Sequence, residues 1–282
     1  MTSIADPNDR QDVSSVALLP FILITFFVSW GTLGFYIFRP EQAVASFGEI
    51  NGHHPAFFLA TWAPALAAFA VVLACSGPTG VKAYLSRLSL WRCPAGWAAF
   101  LLIGVPLIFI AGALMKPGPL WASLSDQGAG AVLGAAILML FLGPIEEFGW
   151  RGVAQPLLQR HVPPLWAGLI IGVTWGVWHL PAFYLSGTVQ SGWSFTPFFI
   201  GNIALAVIVT PLFNAARGSI LLPMLFHWQL INPAWPDAQP YDTYVFAGVA
   251  ALIVWLNRAT MLTRAGACTN VVPGRAPPGP PA

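Results

Sequence analysis

Long apolar runs constrain this chain more than any other feature of its sequence. Eight of them follow one another, near 17–38, 56–75, 96–115, 130–151, 164–185, 195–213, 219–235 and 243–262. Each is close to the ~20 residues that a membrane-spanning helix needs. Only 8% of the 282 residues are charged, whereas soluble domains carry about 25%. The runs do not alternate, which excludes a β-barrel. The sequence therefore predicts an all-α, polytopic transmembrane helical bundle of about eight spans, with the lipid bilayer as its solvent.

The distribution of basic residues indicates how these spans cross the membrane. If both termini are cytoplasmic, ten of the twelve Lys and Arg residues lie on the cytoplasmic side, and only Arg39 and Lys116 lie on the other. Cytoplasmic loops are enriched in Lys and Arg, and an odd number of spans would remove this bias. We therefore predict a cytoplasmic tail over 1–16, a transmembrane domain over 17–265 and a disordered Pro/Gly-rich tail over 266–282.

Net charge and cysteine usage exclude other classes of protein. A net charge of +2 is too small to suggest a nucleic-acid partner. The three cysteines are scattered and form no CxxC pair, so they indicate neither a disulfide framework nor a thiolate zinc site. The chemistry must therefore come from other polar residues.

Polar side chains are concentrated in three of the predicted spans. They are Glu146, Glu147 and Arg151 in FLGPIEEFGWRG, His179 in the fifth span, and His227 and Asn232 in the seventh. Ionisable groups inside a span are expensive and indicate a functional site by default. Taken singly, each has a structural explanation, such as an ion pair at the membrane edge or a histidine that bonds a neighbouring helix. Their concentration in one third of the chain favours a shared site.

Spacing along the helices predicts two contacts. Glu147 and Arg151 are four residues apart in the acid-before-base order that favours a pair on one helix face. Gly168, Gly172 and Gly176 form a small-xxx-small stripe on the fifth span, which allows another helix to approach closely. We expect this approach to let histidines from two helices reach one carboxylate.

The same polar residues form three motifs in a characteristic order. EExxxR covers Glu146–Arg151, Trp175 lies four residues before His179, and a third motif begins at His227. In order and spacing, the chain resembles the CPBP family of intramembrane proteases, named for CAAX proteases and bacteriocin-processing enzymes and also called the Abi family. The resemblance covers about residues 130–236. The flanking segments GWRGVAQPLLQR and WHLPAF look typical of bacterial members, which implies a bacterial inner membrane.

The resemblance implies a role for each matching position. Glu146 corresponds to the catalytic glutamate that activates a water, and His179 to the histidine that shares this water or a metal ion. His227 corresponds to a metal ligand or an oxyanion donor. Glu147 and Arg151 match the remaining positions and are expected to support the site electrostatically.

Two features leave the composition of the site open. A divalent metal such as zinc, held by Glu146, His179 and His227, would make the chain a metalloprotease, although no HExxH motif is present. Without a metal, Glu146 would act as the base of a glutamate protease. The family pattern places Asn four residues after His, but Asn232 lies five residues after His227. A π-bulge, or unwinding at Pro233, would be needed to turn it into the site.

The sequence thus predicts an intramembrane endopeptidase that acts on a membrane-associated or lipidated peptide. The resemblance suggests prenylated peptides, bacteriocin precursors or membrane proteins as substrates. A proton-coupled transporter with a Glu/His relay and a non-catalytic membrane scaffold of the same family are the alternatives.

Overall fold

The chain is helical throughout the residues that the computed structural model describes, which are 11–118, 120 and 128–275. Its α-helices, numbered in chain order, are α1 (Leu18–Phe38), α2 (Pro40–Phe47), α3 (Pro55–Leu85), α4 (Ala95–Ala99), α5 (Val105–Leu114), α6 (Ala129–Met139), α7 (Glu147–Gly149), α8 (Gln155–Gln159), α9 (Pro164–Trp178), α10 (Phe195–Ala215), α11 (Leu221–Leu230), α12 (Asp242–Leu256) and α13 (Arg258–Met261). Short 3-10 or π-helical turns join several of them into longer rods.

Six of these rods are long and apolar enough to cross a membrane. They are Ser15–Phe38, Pro55–Ser89, Ala95–Leu114, Ala129–Gln159, Pro164–Tyr184 and Phe195–Ala215. Large apolar side chains such as Phe27 and Leu102 point outward from the bundle. Lipid tails are as apolar as these side chains, so a bilayer accommodates them without the penalty that water would impose. The predicted polytopic helical bundle is therefore confirmed.

The last two predicted spans are shorter in the structure than in the prediction. Helix α11 has 10 residues and α12 has 15, so they are about 15 Å and 22 Å long. The hydrocarbon core of a bilayer is about 30 Å thick, and neither helix alone matches it. Helix α11 ends just before the Asn232-Pro233 step, because the residue before a proline disfavours the helical conformation.

Helices α9 and α10 pack closely along the predicted glycine stripe. A side chain at Gly172 would lie 2.6 Å from the Cα atom of Ile203, and one at Gly168 would lie 2.7 Å from the hydroxyl of Thr210. The predicted close approach is confirmed, but its partner is α10, which carries no histidine. The stripe therefore positions α9 in the bundle, and the second histidine of the site comes from elsewhere.

Residues from both ends of the described chain meet at one end of the bundle, which we call the Asp12 end. The Arg160 guanidinium binds the Asp12 carboxylate and the backbone carbonyl of Thr269. Asp12 also accepts the backbone N–H groups of Val271 and Val272. The two segments thus lie on the same face, as an even number of crossings requires.

Residues 266–275 differ from the predicted disordered tail. Val271 and Val272 are fully buried and pack in the same apolar cluster as Trp150 and Leu157. The two valines supply apolar surface, and Asp12 accepts their backbone N–H groups. The Pro/Gly content of the segment gave no indication of these contacts. Residues 276–282 of the predicted tail, and residues 1–10 of the predicted N-terminal tail, lie outside the described residues.

At the opposite end of the bundle, which we call the cavity end after the cavity described below, the loops contact one another. Gly187 packs directly against the backbone of Ile50, and Lys116 forms an ion pair with Asp237. Helix α3 begins at this end and reaches the Asp12 end near Ser76, whose hydroxyl donates to the carbonyl of Gln11, just before a kink at the non-helical Gly77. The structure therefore has two distinct faces, each built from its own set of loops.

Candidate active site

The EExxxR segment lies in the middle of a bent helical rod. A 3-10 turn over Gly143–Glu146 leads into α7, and a π-helical turn over Trp150–Ala154 leads into α8. The sequence predicts that this span ends near residue 151, but the rod continues to residue 159. Both glutamates are therefore inside the bundle. Arg151, counted above among the cytoplasmic basic residues, is buried as well.

Two buried side chains from the α3 rod hold this irregular segment. Arg87 donates to the backbone carbonyls of Arg151 and Gly152, at 3.2 and 2.6 Å, and the hydroxyl of Tyr84 donates to the carbonyl of Phe148. Irregular turns release carbonyls from the helical hydrogen-bond pattern, and buried carbonyls need other donors. Arg87 and Tyr84 supply them, so the α3 rod supports the motif from the side of the Asp12 end.

The Glu146 carboxylate is buried and is held by an indole. Its side chain accepts a hydrogen bond from Nε1 of Trp175, with 2.8 Å between Nε1 and Oε2. Trp175 lies on α9, four residues before His179. A phenyl ring has no N–H donor. This hydrogen bond therefore depends on the tryptophan.

Glu147 connects the arginine of the motif to a histidine of another helix. Arg151 Nη1 lies 3.1 Å from Oε1 and 3.0 Å from Oε2 of Glu147. Nδ1 of His227, on α11, lies 2.8 Å from the same Oε1 atom. The structure thus contains the expected pair four residues apart, and it also assigns His227 to Glu147 rather than to Glu146.

Both histidines present their second ring nitrogen away from their hydrogen-bond partners. Nδ1 of His179 lies 2.9 Å from the backbone carbonyl of Trp175, so it carries the proton and Nε2 has the lone pair in the neutral ring. Nε2 of His227 lies beside Gly143, where any side chain would come within 2.8 Å of it. The absence of a side chain at Gly143 leaves room for this imidazole.

A cavity of about 590 Å³ joins these groups. Glu146, His179, His227 and Asn232 all line it, although they come from three separate segments of the chain. Most of the remaining wall is apolar or aromatic. Ligand sites commonly combine an apolar wall with a few converging polar groups, so the arrangement is suited to chemistry on a largely apolar substrate.

Asn232 lies in the cavity wall but bonds its own backbone. Its Oδ1 atom accepts the N–H of Ala234 at 3.0 Å, which forms a local turn after the end of α11 at Leu230. No π-helical turn precedes it in α11. Its side chain thus shapes the loop that closes the cavity, and the structure shows no hydrogen bond from Asn232 to Glu146 or His227.

The described side chains do not assemble the predicted three-ligand metal set. Within residues 11–118, 120 and 128–275, no group of three or more His, Cys, Asp or Glu side chains is placed to hold one metal ion. Each histidine does bond a carbonyl or carboxylate through Nδ1, as metal-binding histidines do. The imidazoles therefore fit ligation, but the set of Glu146, His179 and His227 would have to move to share an ion.

Three supporting residues escape sequence reasoning in different ways. The sequence treats Arg87 as a loop residue and does not single out Tyr84, yet both are buried beside the motif. Trp175 is visible in its motif, but its bond to Glu146 requires α9 to lie beside α7. The only signal in the sequence that could have indicated Arg87 is that charged residues are rare in this chain.

Two comparisons with known proteins find similarity to part of this chain. Residues 128–230 match the family model described as Type II CAAX prenyl endopeptidase Rce1-like. The chain is also 29% identical over 141 residues to CAAX prenyl protease 2 of Methanococcus maripaludis, an alignment that covers 46% of this chain and 52% of the relative. The chain thus spans about half the length of that relative.

The matched segment contains the glutamates, Arg151 and both histidines, and it ends two residues before Asn232. The three motifs recognised in the sequence begin within it, whereas the cavity is lined partly by residues of this segment and partly by residues outside it. The family resemblance predicted from the sequence is therefore confirmed: residues 128–230 of this chain match the model of Rce1-like CAAX prenyl endopeptidases.

Proposed function

We propose that this chain is an intramembrane endopeptidase that hydrolyses a peptide bond with a water activated by Glu146. The observation that carries the proposal is that Glu146, His179 and His227, from three non-adjacent segments, line one cavity inside an apolar bundle. A general base must lie within hydrogen-bond reach of the water that it activates. A shared cavity provides the space for that water and for the substrate carbonyl.

The proposed reaction proceeds in two steps. Glu146 accepts a proton from the water as its oxygen forms a bond to the carbonyl carbon, and the carbonyl oxygen becomes an oxyanion. The protonated Glu146 then gives its proton to the amide nitrogen as the carbon–nitrogen bond breaks. The products are a carboxylic acid and an amine, and the glutamate is regenerated.

The two histidines are suited to different parts of this reaction. His179 holds the proton on Nδ1 through the carbonyl of Trp175, so its Nε2 lone pair can accept a hydrogen bond from the water and orient it. Glu147 holds Nδ1 of His227 at 2.8 Å, so Nε2 of this ring lies beside Gly143 in the cavity wall. In the proposed role, an N–H at Nε2 donates to the oxyanion. Arg151 offsets the charge of Glu147 and keeps the pair in place.

The substrate class is proposed from the residues that line the cavity. The relative named CAAX prenyl protease 2 and the apolar lining both support a prenylated or otherwise membrane-associated peptide. Bacteriocin precursors and membrane proteins are also candidates, because they too supply membrane-associated peptide segments. The experiment below identifies the bond that is cleaved in such a peptide.

The test uses purified protein in detergent and a library of apolar and prenylated peptides with mass-spectrometric detection of cleavage. We expect cleavage by the unaltered chain and a loss of roughly 10²–10⁴-fold in Glu146→Gln, the range of general-base catalysis. Glu41→Gln, an exposed carboxylate on α2, is the matched control. Cleavage that survives Glu146→Gln would remove this glutamate from the mechanism.

Two further readouts address the alternatives. A divalent metal remains a proposal, and full activity after chelation with EDTA would rule it out, whereas restoration by zinc would support it. Solute uptake by liposomes without any proteolysis would favour a proton-coupled transporter. Neither cleavage nor transport would favour a non-catalytic scaffold.

A further inference from the structure

The cavity lies at one end of the bundle and is lined by the loops of that end. Its wall includes residues 51–53 before α3, residues 187–193 before α10, and residues 235–239 before α12. Val189 and Asp237, which belong to this wall, are exposed to solvent. Glu146 and His227, which also line the cavity, are buried. The site therefore opens at the cavity end, away from the Asp12 end.

Basic residues are concentrated at the Asp12 end. Eight described residues lie there by helix direction and by contact: Lys82, Arg87, Arg92, Arg160, Arg217, Arg258, Arg264 and Arg275. The described cavity end carries two, Arg39 and Lys116, and Lys116 is paired with Asp237. Short loops rich in Lys and Arg remain in the cytoplasm. The asymmetry thus persists even when Arg151 and Arg87, both buried in the structure, are left out of the comparison.

Together these two observations determine the side from which the site is reached. We infer that the cavity opens on the extracytoplasmic face, and that the substrate is a peptide or juxtamembrane segment presented from outside the cytoplasm. The inference rests on the proposed endopeptidase function for its substrate, but its sidedness rests on geometry and charge alone. A prenylated protein confined to the cytosol does not meet this requirement, whereas an exported peptide or the outer end of a membrane anchor does.

Cysteine labelling in intact bacterial cells tests the sidedness without any assay of activity. The native cysteines Cys75, Cys93 and Cys268 are replaced by alanine, and one cysteine is introduced at a time. Val189→Cys lies at the mouth of the cavity, and Ala265→Cys is an exposed position at the Asp12 end. We expect a membrane-impermeant maleimide to label Val189→Cys and to leave Ala265→Cys unlabelled until the cells are permeabilised.

The reverse pattern, or equal labelling of the two positions in intact cells, would overturn the inference. Denatured samples of both variants must label fully, which shows that the thiols are present. A variant that fails to accumulate in the membrane is replaced by its neighbour, Gln190→Cys or Gly266→Cys. The labelling result is independent of proteolysis, so it holds or fails separately from the proposed function.

An activity measurement then links the side to the substrate. A peptide that the purified protein cleaves is offered, in a form that cannot cross the membrane, to right-side-out spheroplasts and to inverted vesicles. We expect cleavage by spheroplasts only, and loss of that cleavage in Glu146→Gln. Cleavage by inverted vesicles alone would contradict the inference while leaving the endopeptidase intact. Absence of cleavage by the purified protein would contradict the proposed function, and the labelling pattern would still decide the orientation.

Discussion

Trp175 contacts three polar side chains of the candidate site. Its indole N–H donates to Glu146, its ring centroid lies 5.2 Å from the guanidinium carbon of Arg151, and the His227 ring lies 5.3 Å away, edge to face. Trp175 does not line the cavity itself. We therefore regard it as a positioning residue that acts through Glu146.

Replacing Trp175 with phenylalanine is expected to lower kcat and to leave KM nearly unchanged. The substitution keeps an aromatic ring and removes one hydrogen bond to a carboxylate. Hydrogen bonds to charged groups contribute about 1.5–3 kcal/mol, which corresponds to roughly 10- to 100-fold in rate. Steady-state kinetics on a cleaved peptide measures the effect. Thermal unfolding in detergent checks that the variant is folded.

Trp228→Phe provides the matched control. Its indole also donates a hydrogen bond at 2.8 Å, but to the backbone carbonyl of Ala136. Equal losses of kcat in the two variants would show that any lost indole bond weakens the fold, and the positioning role of Trp175 would then be rejected.

At the scale of the element, the irregular rod that contains both glutamates depends on donors outside it. Arg87 donates to four carbonyls, those of Arg151, Gly152, Gly218 and Val271. It therefore connects the π-helical turn to the loop after α10 and to the segment after α13. No regular helix would need such a support.

Arg87→Lys is expected to lower both the melting temperature and kcat. The ammonium group of lysine is a compact point charge and cannot replace the planar fork of arginine, so buried carbonyls lose their donors at about 1–3 kcal/mol each. Arg92→Lys, at an exposed position of the same loop, is expected to change neither quantity. An unchanged melting temperature in Arg87→Lys would show that the carbonyls are satisfied in another way.

The contact between α9 and α10 gives a second prediction at this scale. In Gly172→Ala the added methyl group would lie 2.6 Å from the Cα atom of Ile203, and overpacking of this kind costs about 1–3 kcal/mol. Gly134→Ala, on α6 with no neighbour within 4 Å, should change stability by at most about 1 kcal/mol. If both variants melt alike, the two helices can separate without loss.

At the scale of the whole molecule, the charge of the cavity predicts a preference among substrates. The described residues that line it include Glu146, Asp242 and Asp237, the last of which is paired with Lys116, and neither Lys nor Arg is among them. A carboxylate entering this space meets like charges, which at an effective dielectric of about 20 interact by a few kcal/mol at contact distance.

Peptides with Asp beside the scissile bond should therefore be cleaved with a kcat/KM roughly tenfold lower than the same peptides with Lys, a difference of about 1.4 kcal/mol. The ratio should shrink as salt increases, because salt screens exposed charges. A preference for acidic peptides, or a ratio that does not respond to salt, would contradict the predicted electrostatics.

Part of the site could be predicted because it is local in sequence. Glu147 and Arg151 lie one helical turn apart, so their pairing follows from helix geometry. The bond between Glu147 and His227 joins residues 80 positions apart, and nothing in either segment specifies it. The position of Asn232 likewise depends on the turn that follows the end of α11 at Leu230.

The sequence by itself determined that this chain is an apolar helical bundle with ionisable side chains in three of its segments. Composition and hydrophobic periodicity are properties of consecutive residues, so they can be read without the fold. The tertiary structure alone decided which carboxylate receives which histidine, which arginine is buried, and at which end the cavity opens. Those outcomes depend on how helices pack against one another, and packing is set by contacts between residues far apart in the sequence.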